Sequence, residues 1–268
     1  MLNKKGFYLF GAPFDGTTSY RPGTRFAPAR IRQEMYGIET YSPYQDKDMT
    51  DMDIVDKGDL DLPFGNPKRV IDMVKAETEK AINEGKIPVM TGGEHLVSLG
   101  AITAFNEKHK DLCVVHFDAH TDLREEYIGE TLSHASVMKR AHDLLGDGRI
   151  FQFCIRSGEK YEFEFAARHT ELTKHNFDNL DAALEKIGDR PVYFTIDLDC
   201  IDPSEFPGTG TPEAGGVTFL EMLGAIIKVG KKNIVGADLV ELSPPYDPSG
   251  ISCALACKTL RELILAIC

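Results

Sequence analysis

No stretch of this sequence stays apolar long enough to cross a bilayer, a task that needs about 20 residues, and none of its cysteines shows the Cys-x-x-Cys spacing of a thiolate metal knot or redox pair. Cys113, Cys154, Cys200, Cys253, Cys257 and Cys268 are scattered, several inside apolar runs where a thiol packs as a small hydrophobe. Reduced and mostly buried cysteines are therefore expected, and with them a cytoplasmic location. Lys4 and Lys5 precede the apolar run Phe7 to Phe10, which Gly11 and Pro13 break too soon for the core of a signal peptide. Positive charge is also scarce: 30 Lys and Arg face 42 Asp and Glu, for a formal charge of −12. That balance repels phosphate backbones and anionic lipid and tolerates a cationic small molecule, so neither nucleic acid nor membrane is an expected partner. Repeats and linkers are missing too. What is present, 268 residues at 42% hydrophobic and 27% charged, suffices for one sizeable core and a single domain over 1–268.

Short β-rich runs alternate with helical ones. Phe7 to Phe10, Ile87 to Met90, Leu112 to Phe117, Ile150 to Ile155, Val192 to Ile196 and Ile234 to Leu239 read as strands. Lys68 to Glu84, Leu220 to Val229 and Ser252 to Ile267 read as helices, the last with a stripe of Leu255, Leu260, Leu263, Ile264 and Ile267. Such alternation predicts an α/β fold with a parallel sheet covered by helices on both faces. Two features invite over-reading. Asp46, Asp48, Asp51 and Asp53 crowd together, but a calcium loop begun at Asp46 would need glycine and glutamate where Asp51 and Lys57 stand, so a solvated loop is expected. Gly92-Gly93 and Gly208-Thr209-Gly210-Thr211-Pro212 lack the Gly-Lys-Ser/Thr of a phosphate cradle.

The chemistry gathers at strand ends. Asp118, His120 and Asp122 follow one apolar run at intervals of two, which on an extended backbone aims all three to one side. Asp197 and Asp199 end another run, where unpaired charge is costly to desolvate. His95 follows a third through Gly92-Gly93, a pair that permits a tight turn. Four aspartates and two histidines bring about four negative charges, which two divalent cations neutralise. Oxygen-rich ligation with imidazole and no thiolate favours Mn2+ over a thiolate zinc site. Two cations bridging a water lower its pKa from 15.7 toward roughly 7 and so imply hydrolysis. The residual negative charge suits a cationic electrophile such as a guanidinium, which also needs a carboxylate to fix its nitrogens and an acid for the leaving amine. Glu241, past the strand at Val235 to Leu239, and His134, past the loop after Asp122, are the candidates for those tasks. His116 reads as a satisfied core histidine.

Gly92-Gly93-Glu94-His95, Asp118-Ala119-His120-Thr121-Asp122 and Asp197-Leu198-Asp199-Cys200-Ile201-Asp202-Pro203 resemble, in order, the three signatures of the ureohydrolase superfamily of arginases and agmatinases. The likeness extends from Gly11-Ala12-Pro13 to the final helix. It implies a three-layer α/β/α fold around a mainly parallel eight-stranded sheet and a site for two Mn2+ per subunit. His95, Asp118, Asp122 and Asp197 would hold one ion, and His120, Asp118, Asp197 and Asp199 the other. Glu241 would hold the guanidinium, His134 would shuttle protons, and Asp122 would serve catalysis besides ligation. Family resemblance also suggests trimers or hexamers. The interval Leu123 to Ser133 lacks the Ser-Gly-Asn-Leu-His-Gly element that arginases use to bind the amino-acid end of arginine. Glu125, Glu126 and Glu130 suit a free amine, whereas Arg124 could pair with a carboxylate. The whole segment, with Glu-Leu-Ser-Pro-Pro-Tyr-Asp at Glu241 to Asp247, is most similar to bacterial agmatinases, which hydrolyse agmatine to putrescine and urea. Arginase, guanidinobutyrase and formiminoglutamase share every ligand and stay open as alternatives, as does a non-catalytic metal-binding protein.

Overall fold

A computed structural model describes residues 6–268, so Lys4 and Lys5 lie outside the described residues. The strands are β1 (Phe7–Ala12), β2 (Tyr41–Ser42), β3 (Lys47–Asp48), β4 (Ile54–Asp59), β5 (Ile87–Gly92), β6 (Cys113–Phe117), β7 (Ile150–Ile155), β8 (Glu171–Lys174), β9 (Val192–Asp197) and β10 (Ile234–Val240). The α-helices are α1 (Ala27–Glu34), α2 (Pro67–Asn83), α3 (Ser98–Lys108), α4 (Val137–Leu145), α5 (Lys160–His169), α6 (Leu180–Ile187), α7 (Phe219–Val229) and α8 (Ile251–Ile267). Eight strands form one sheet in the order β4-β1-β5-β10-β9-β6-β7-β8, and every pairing in it is parallel. The two strands that the apolar runs did not announce are its edges, β4 and β8, whose residues are largely polar and half exposed. An edge strand is covered less, so its sequence carries a weaker signal.

Strands buried on both faces read as unbroken apolar runs, and β5, β6, β7 and β9 are buried at every residue. Their side chains still sort by parity. Cys113, Val115 and Phe117 of β6, with Val192, Phe194 and Ile196 of β9, pack beneath α1, α6, α7 and α8. Val114 and Tyr193 point the other way, against α2, α3, α4 and α5. Three layers result, as expected. Phe117 anchors one of them, edge-on to Phe194 at 4.8 Å and to Phe153 at 5.9 Å.

Three helices differ from the sequence reading for identifiable reasons, α2 starting one residue early, at Pro67, because Asn66 caps it by accepting from Arg69 N at 3.0 Å. Helix α7 begins one residue early because Thr218 and Glu221 form a capping box, each side chain bonding the other's backbone N–H. Helix α8 keeps the expected stripe in the core, with Leu260, Leu263 and Ile264 buried, and buries polar groups as well. Its Arg261 and Glu262 are buried as a pair, Glu262 accepting from Ser42 at 2.7 Å and Gln45 at 2.8 Å, and Arg261 donating to the Glu39 carbonyl at 2.6 Å. The β2–β3 segment that supplies Ser42 and Gln45 includes Asp48, which caps a short turn, while Asp46, Asp51 and Asp53 are exposed, as expected of a solvated stretch. Among the described residues no helix is long and apolar enough to cross a membrane.

The long connection after β9 is held by Asp202, which accepts from Ser204 N and Oγ at 3.0 and 2.6 Å and from Gly215 N and Gly216 N at 2.8 and 3.1 Å. The Ser204 hydroxyl and these backbone donors push its carboxyl down to about 2 from 3.8. Because the shift is downward, its stabilisation is complete above pH 3.8 and fades as pH falls through 2. Asp202→Ala is expected to cost about 1–3 kcal/mol at pH 7, read as a lower urea midpoint with unchanged slope. The gap from wild type should narrow as the pH is lowered through that window.

Candidate metal centre

Four adjacent strands, β5, β10, β9 and β6, end side by side, and their carboxyl ends carry His95, Glu241, Asp197 and Asp118 in turn. This is the edge of a parallel sheet where ligands bind. The glycine pair before His95 works differently from the expectation: neither Gly92 nor Gly93 has positive φ. Gly93 is required by close approach, since a Cβ there would lie 1.9 Å from the Phe14 carbonyl oxygen. Nor do the aspartates converge by strand parity. Strand β6 stops at Phe117, and Asp122 turns back with φ +52°, a left-handed conformation. Strand β9 stops at Asp197, whose carboxylate accepts from Asp199 N at 2.9 Å and caps a one-turn 3-10 segment, Leu198–Cys200. Local turns bring these groups together where an extended chain would have spread them.

The geometry at their meeting point demands a cation. His95 Nδ1 lies 3.1 Å from Asp118 Oδ2, 3.2 Å from Asp122 Oδ2 and 3.3 Å from Asp197 Oδ2. One nitrogen carries at most one proton, so it cannot satisfy three carboxylates. On the other side His120 Nδ1 lies 3.0 Å from Asp199 Oδ2 and 3.4 Å from Asp118 Oδ1. Asp118 thus faces His95 with Oδ2 and His120 with Oδ1 and links two donor sets. Asp118, Asp122, Asp197 and Asp199 are all less than a tenth exposed, and His120 is the most open of the six. Burial pushes Asp122 up to about 6, with Asp118 adding to it, and holds Asp197 well above the usual carboxylate range, with Asp199 and Asp118 adding to it. Burial opposes ionisation of His95, yet Asp118, Asp122 and Asp197 reverse this and hold it well above its ordinary value. The donor set fits two divalent cations: protons are drawn to where positive charge is needed.

Outer partners aim these ligands. The Thr195 hydroxyl donates to Asp238 Oδ1, so it accepts from His95 Nε2 at 2.9 Å. Neutral His95 then presents the Nδ1 lone pair to the carboxylates, as a metal ligand requires. Tyr193 also donates to Asp238. His116, fully buried, is satisfied on both nitrogens as expected: Gln152 Nε2 donates to Nδ1 at 3.1 Å, and Nε2 donates to Asp118 Oδ2 at 2.7 Å. It therefore also orients Asp118. Ala119 N donates to Asp199 Oδ1 at 3.1 Å, and Arg156 ties down the Asp199 and Cys200 carbonyls at 2.7 and 3.1 Å. Thr195, Asp238 and Arg156 escaped the sequence reading. Asp238 alone left a signal, as a charge inside the apolar run Ile234 to Val240.

Glu241 sits beside the cluster with φ +64°, 5% exposed, its Oε1 accepting from His95 N at 2.8 Å. Burial and the neighbouring Glu94 hold it well above its usual range. Glu94 accepts from Thr17 N at 2.9 Å and from the Thr17 and Thr18 hydroxyls. The Thr17 hydroxyl in turn accepts from His134 N at 3.0 Å, which fixes His134 relative to His95 through two residues. The His134 ring, 3.2 Å from Ser19 Oγ, does not titrate near neutrality as expected: burial, then the charge on His120 and His95, lowers it to about 4.

A cleft lined by His120, Asp122, His134, Tyr127, Glu159 and Arg124 opens over the cluster. Of the four charges expected to discriminate substrates, only Arg124 lines it. Glu125 pairs with Lys139 at 3.1 Å and Arg140 at 3.3 Å, while Glu126 and Glu130 are exposed elsewhere. Arg124 lies over Tyr127 at 4.5 Å and against Glu159 and Glu162 at 3.4 and 3.8 Å. Besides Asp122, the acids of the cleft wall thus come from α5 and the residue before it.

A parallel eight-stranded α/β/α layer structure with paired carboxylate-histidine donor sets is that of a metallohydrolase class, and the sequence comparisons narrow it. The Arginase family model matches residues 5–266, and the chain belongs to that family. It is similar to the agmatinase of Bacillus subtilis strain 168, 46% identical over 261 residues that cover 96% of this chain and 90% of that protein. A solved Clostridium difficile structure superposes with a TM-score of 0.95 at 49% identity, covering 98% of this chain and 97% of that one. The agmatine ureohydrolase structure of Thermoplasma volcanium gives 0.89 at 37%, covering 98% and 90%. Thr195→Val, which removes the acceptor for His95 Nε2, is expected to weaken metal affinity about 10–100-fold. Activity recovery in chelator-buffered Mn2+ reads this, and an unchanged half-saturation point would show that Thr195 does not orient His95.

Proposed function

We propose that the chain is an agmatinase, hydrolysing agmatine to putrescine and urea at a dimanganese centre. The observation that carries this reading is Asp118, facing His95 with one oxygen and His120 with the other, so that one buried carboxylate joins two donor sets. His95, Asp118, Asp122 and Asp197 would hold one ion, and His120, Asp118, Asp197 and Asp199 the other. When bound, such a pair supplies a water-derived nucleophile ionised at neutral pH. Asp122, which lines the cleft and faces His95, orients the attacking water. Glu241 holds the guanidinium nitrogens by charge-assisted hydrogen bonds. His134, aligned by Thr17 and Ser19, takes up a proton and passes it to the departing amine; a ring that rests neutral accepts first and donates second.

Agmatine is favoured over a carboxylate-bearing guanidine by the state of Arg124. Its guanidinium is already engaged by Glu159, Glu162 and Tyr127. One cation against two carboxylates leaves that wall negative, which suits an ammonium tail. Kinship with the Bacillus subtilis agmatinase supports the same choice. Trimeric or hexameric assembly and a cytoplasmic location belong to this reading, with light scattering and cell fractionation as their checks.

Urea release from agmatine, arginine and 4-guanidinobutyrate is the test. Agmatine is expected to exceed both in kcat/KM by roughly 100-fold or more; a preference for either acid overturns the substrate, and full turnover after exhaustive chelation overturns the metal centre. Asp118→Asn should abolish activity together with the metal content measured by elemental analysis. His134→Asn should lower kcat by about 10²–10⁴ with metal content intact.

A further inference from the structure

Helices α4 and α5 both start at the metal-centre edge of the sheet and end at the opposite edge, where β7 begins. There His142 of α4, His169 at the end of α5 and Asp147 in the connecting turn converge, with their donor atoms within 4.8 Å of one another. His142 Nε2 and His169 Nδ1 each lie 2.8 Å from the same oxygen, Asp147 Oδ1. Phe165 packs against both rings, with centroids 4.9 and 4.4 Å away. The buried Nδ1 of His142 has no hydrogen-bond partner, so Nε2 is that ring's whole polar outlet. Gly148 N donates to the His169 carbonyl at 3.0 Å and holds the turn against α5.

We propose that His142, Asp147 and His169 form a second metal site, separate from the catalytic centre, for a borderline divalent cation such as Zn2+. Ligand atoms about 2.0–2.1 Å from such an ion stand about 2.9–3.4 Å apart in octahedral or tetrahedral arrangements; the two N···O distances, at 2.8 Å, are close to that, and the two imidazole nitrogens lie within 4.8 Å of each other. Two imidazoles and one carboxylate favour Zn2+, Ni2+, Co2+ or Cu2+ over Mn2+ or Mg2+. The Asp147 side chain is 66% exposed, which leaves the remaining coordination positions to water. An ion here pins the far ends of the two helices that grip the catalytic loop at their near ends. Met138 N and Lys139 N of α4 donate to the Asp122 carbonyl at 3.0 and 3.1 Å. Glu162 of α5 accepts from Thr121 Oγ1 at 2.6 Å and Leu123 N at 3.0 Å. Occupancy therefore stabilises the fold without touching substrate.

The test compares the Mn2+-loaded wild type with Asp147→Asn and with the double variant His142→Gln/His169→Gln. Each is dialysed against Zn2+, and manganese plus zinc per chain are counted. Exchange at the catalytic centre is common to all three, so the wild type should carry one ion more than either variant and gain a higher Tm on zinc addition that the variants lack. Equal metal content and equal Tm in the three chains overturn the site, and an Asp147→Asn chain that binds as the wild type does overturns the three-ligand set. Urea release before zinc addition should match in all three and serves as the folding control. If the double variant fails it, Asp147→Asn, altered only at an exposed carboxylate, decides alone.

Discussion

Four carboxylates buried within hydrogen-bond range of two imidazoles repel one another, and only positive charge placed among them relieves that repulsion. The surroundings are arranged to keep the oxygens in place while that charge is supplied. Backbone N–H groups of Asp199, Ala119 and His120 each bond one ligand oxygen, at 2.9, 3.1 and 2.6 Å, and so fix which lone pairs face inward. The Asp122 and Glu241 backbones sit in the left-handed region, a cost of about 1–3 kcal/mol each that persists only where the surroundings over-determine it. The parallel sheet makes such determination available: its central strands are buried on both faces and cannot shift without repacking two layers.

Around this cluster the same logic recurs at lower charge density. His95 is held in one tautomer by Thr195, whose hydroxyl proton goes to Asp238, and Asp118 is held by His116, whose Nδ1 accepts from Gln152 so that Nε2 keeps the proton it donates to Asp118. His134 is tethered to the opposite side through Thr17 and Glu94, bringing a residue from β6's following loop under the control of the first loop of the chain. The cleft wall supplied by Glu159 and Glu162 belongs to the start of α5, a helix whose other end carries His169. One helix thus spans from the substrate cleft to the far histidine cluster.

Much of this was legible beforehand. The apolar runs at β5, β6, β7, β9 and β10 were visible because strands covered on both faces are apolar nearly throughout, and the six ligand candidates stood at the ends of three of them. The edge strands β4 and β8 were not, because half-exposed strands resemble loops in composition. The roles anticipated for Glu125, Glu126 and Glu130 dissolved because charge in a loop does not reveal which way it faces: Glu125 turned to Lys139 and Arg140.

Residue type and order alone determined that hard-ligand chemistry sits at strand ends, since an aspartate or histidine there is too costly to leave unpaired in an apolar sheet. Tertiary structure decided how those groups meet. The Gly93 contact with Phe14 and the Arg124 engagement with Glu159 depend on atoms distant in sequence, and the Asp122 reversal and the Asp197 cap are local turns that bring their carboxylates to His95 at the end of another strand. Direction, unlike composition, is set by what packs opposite.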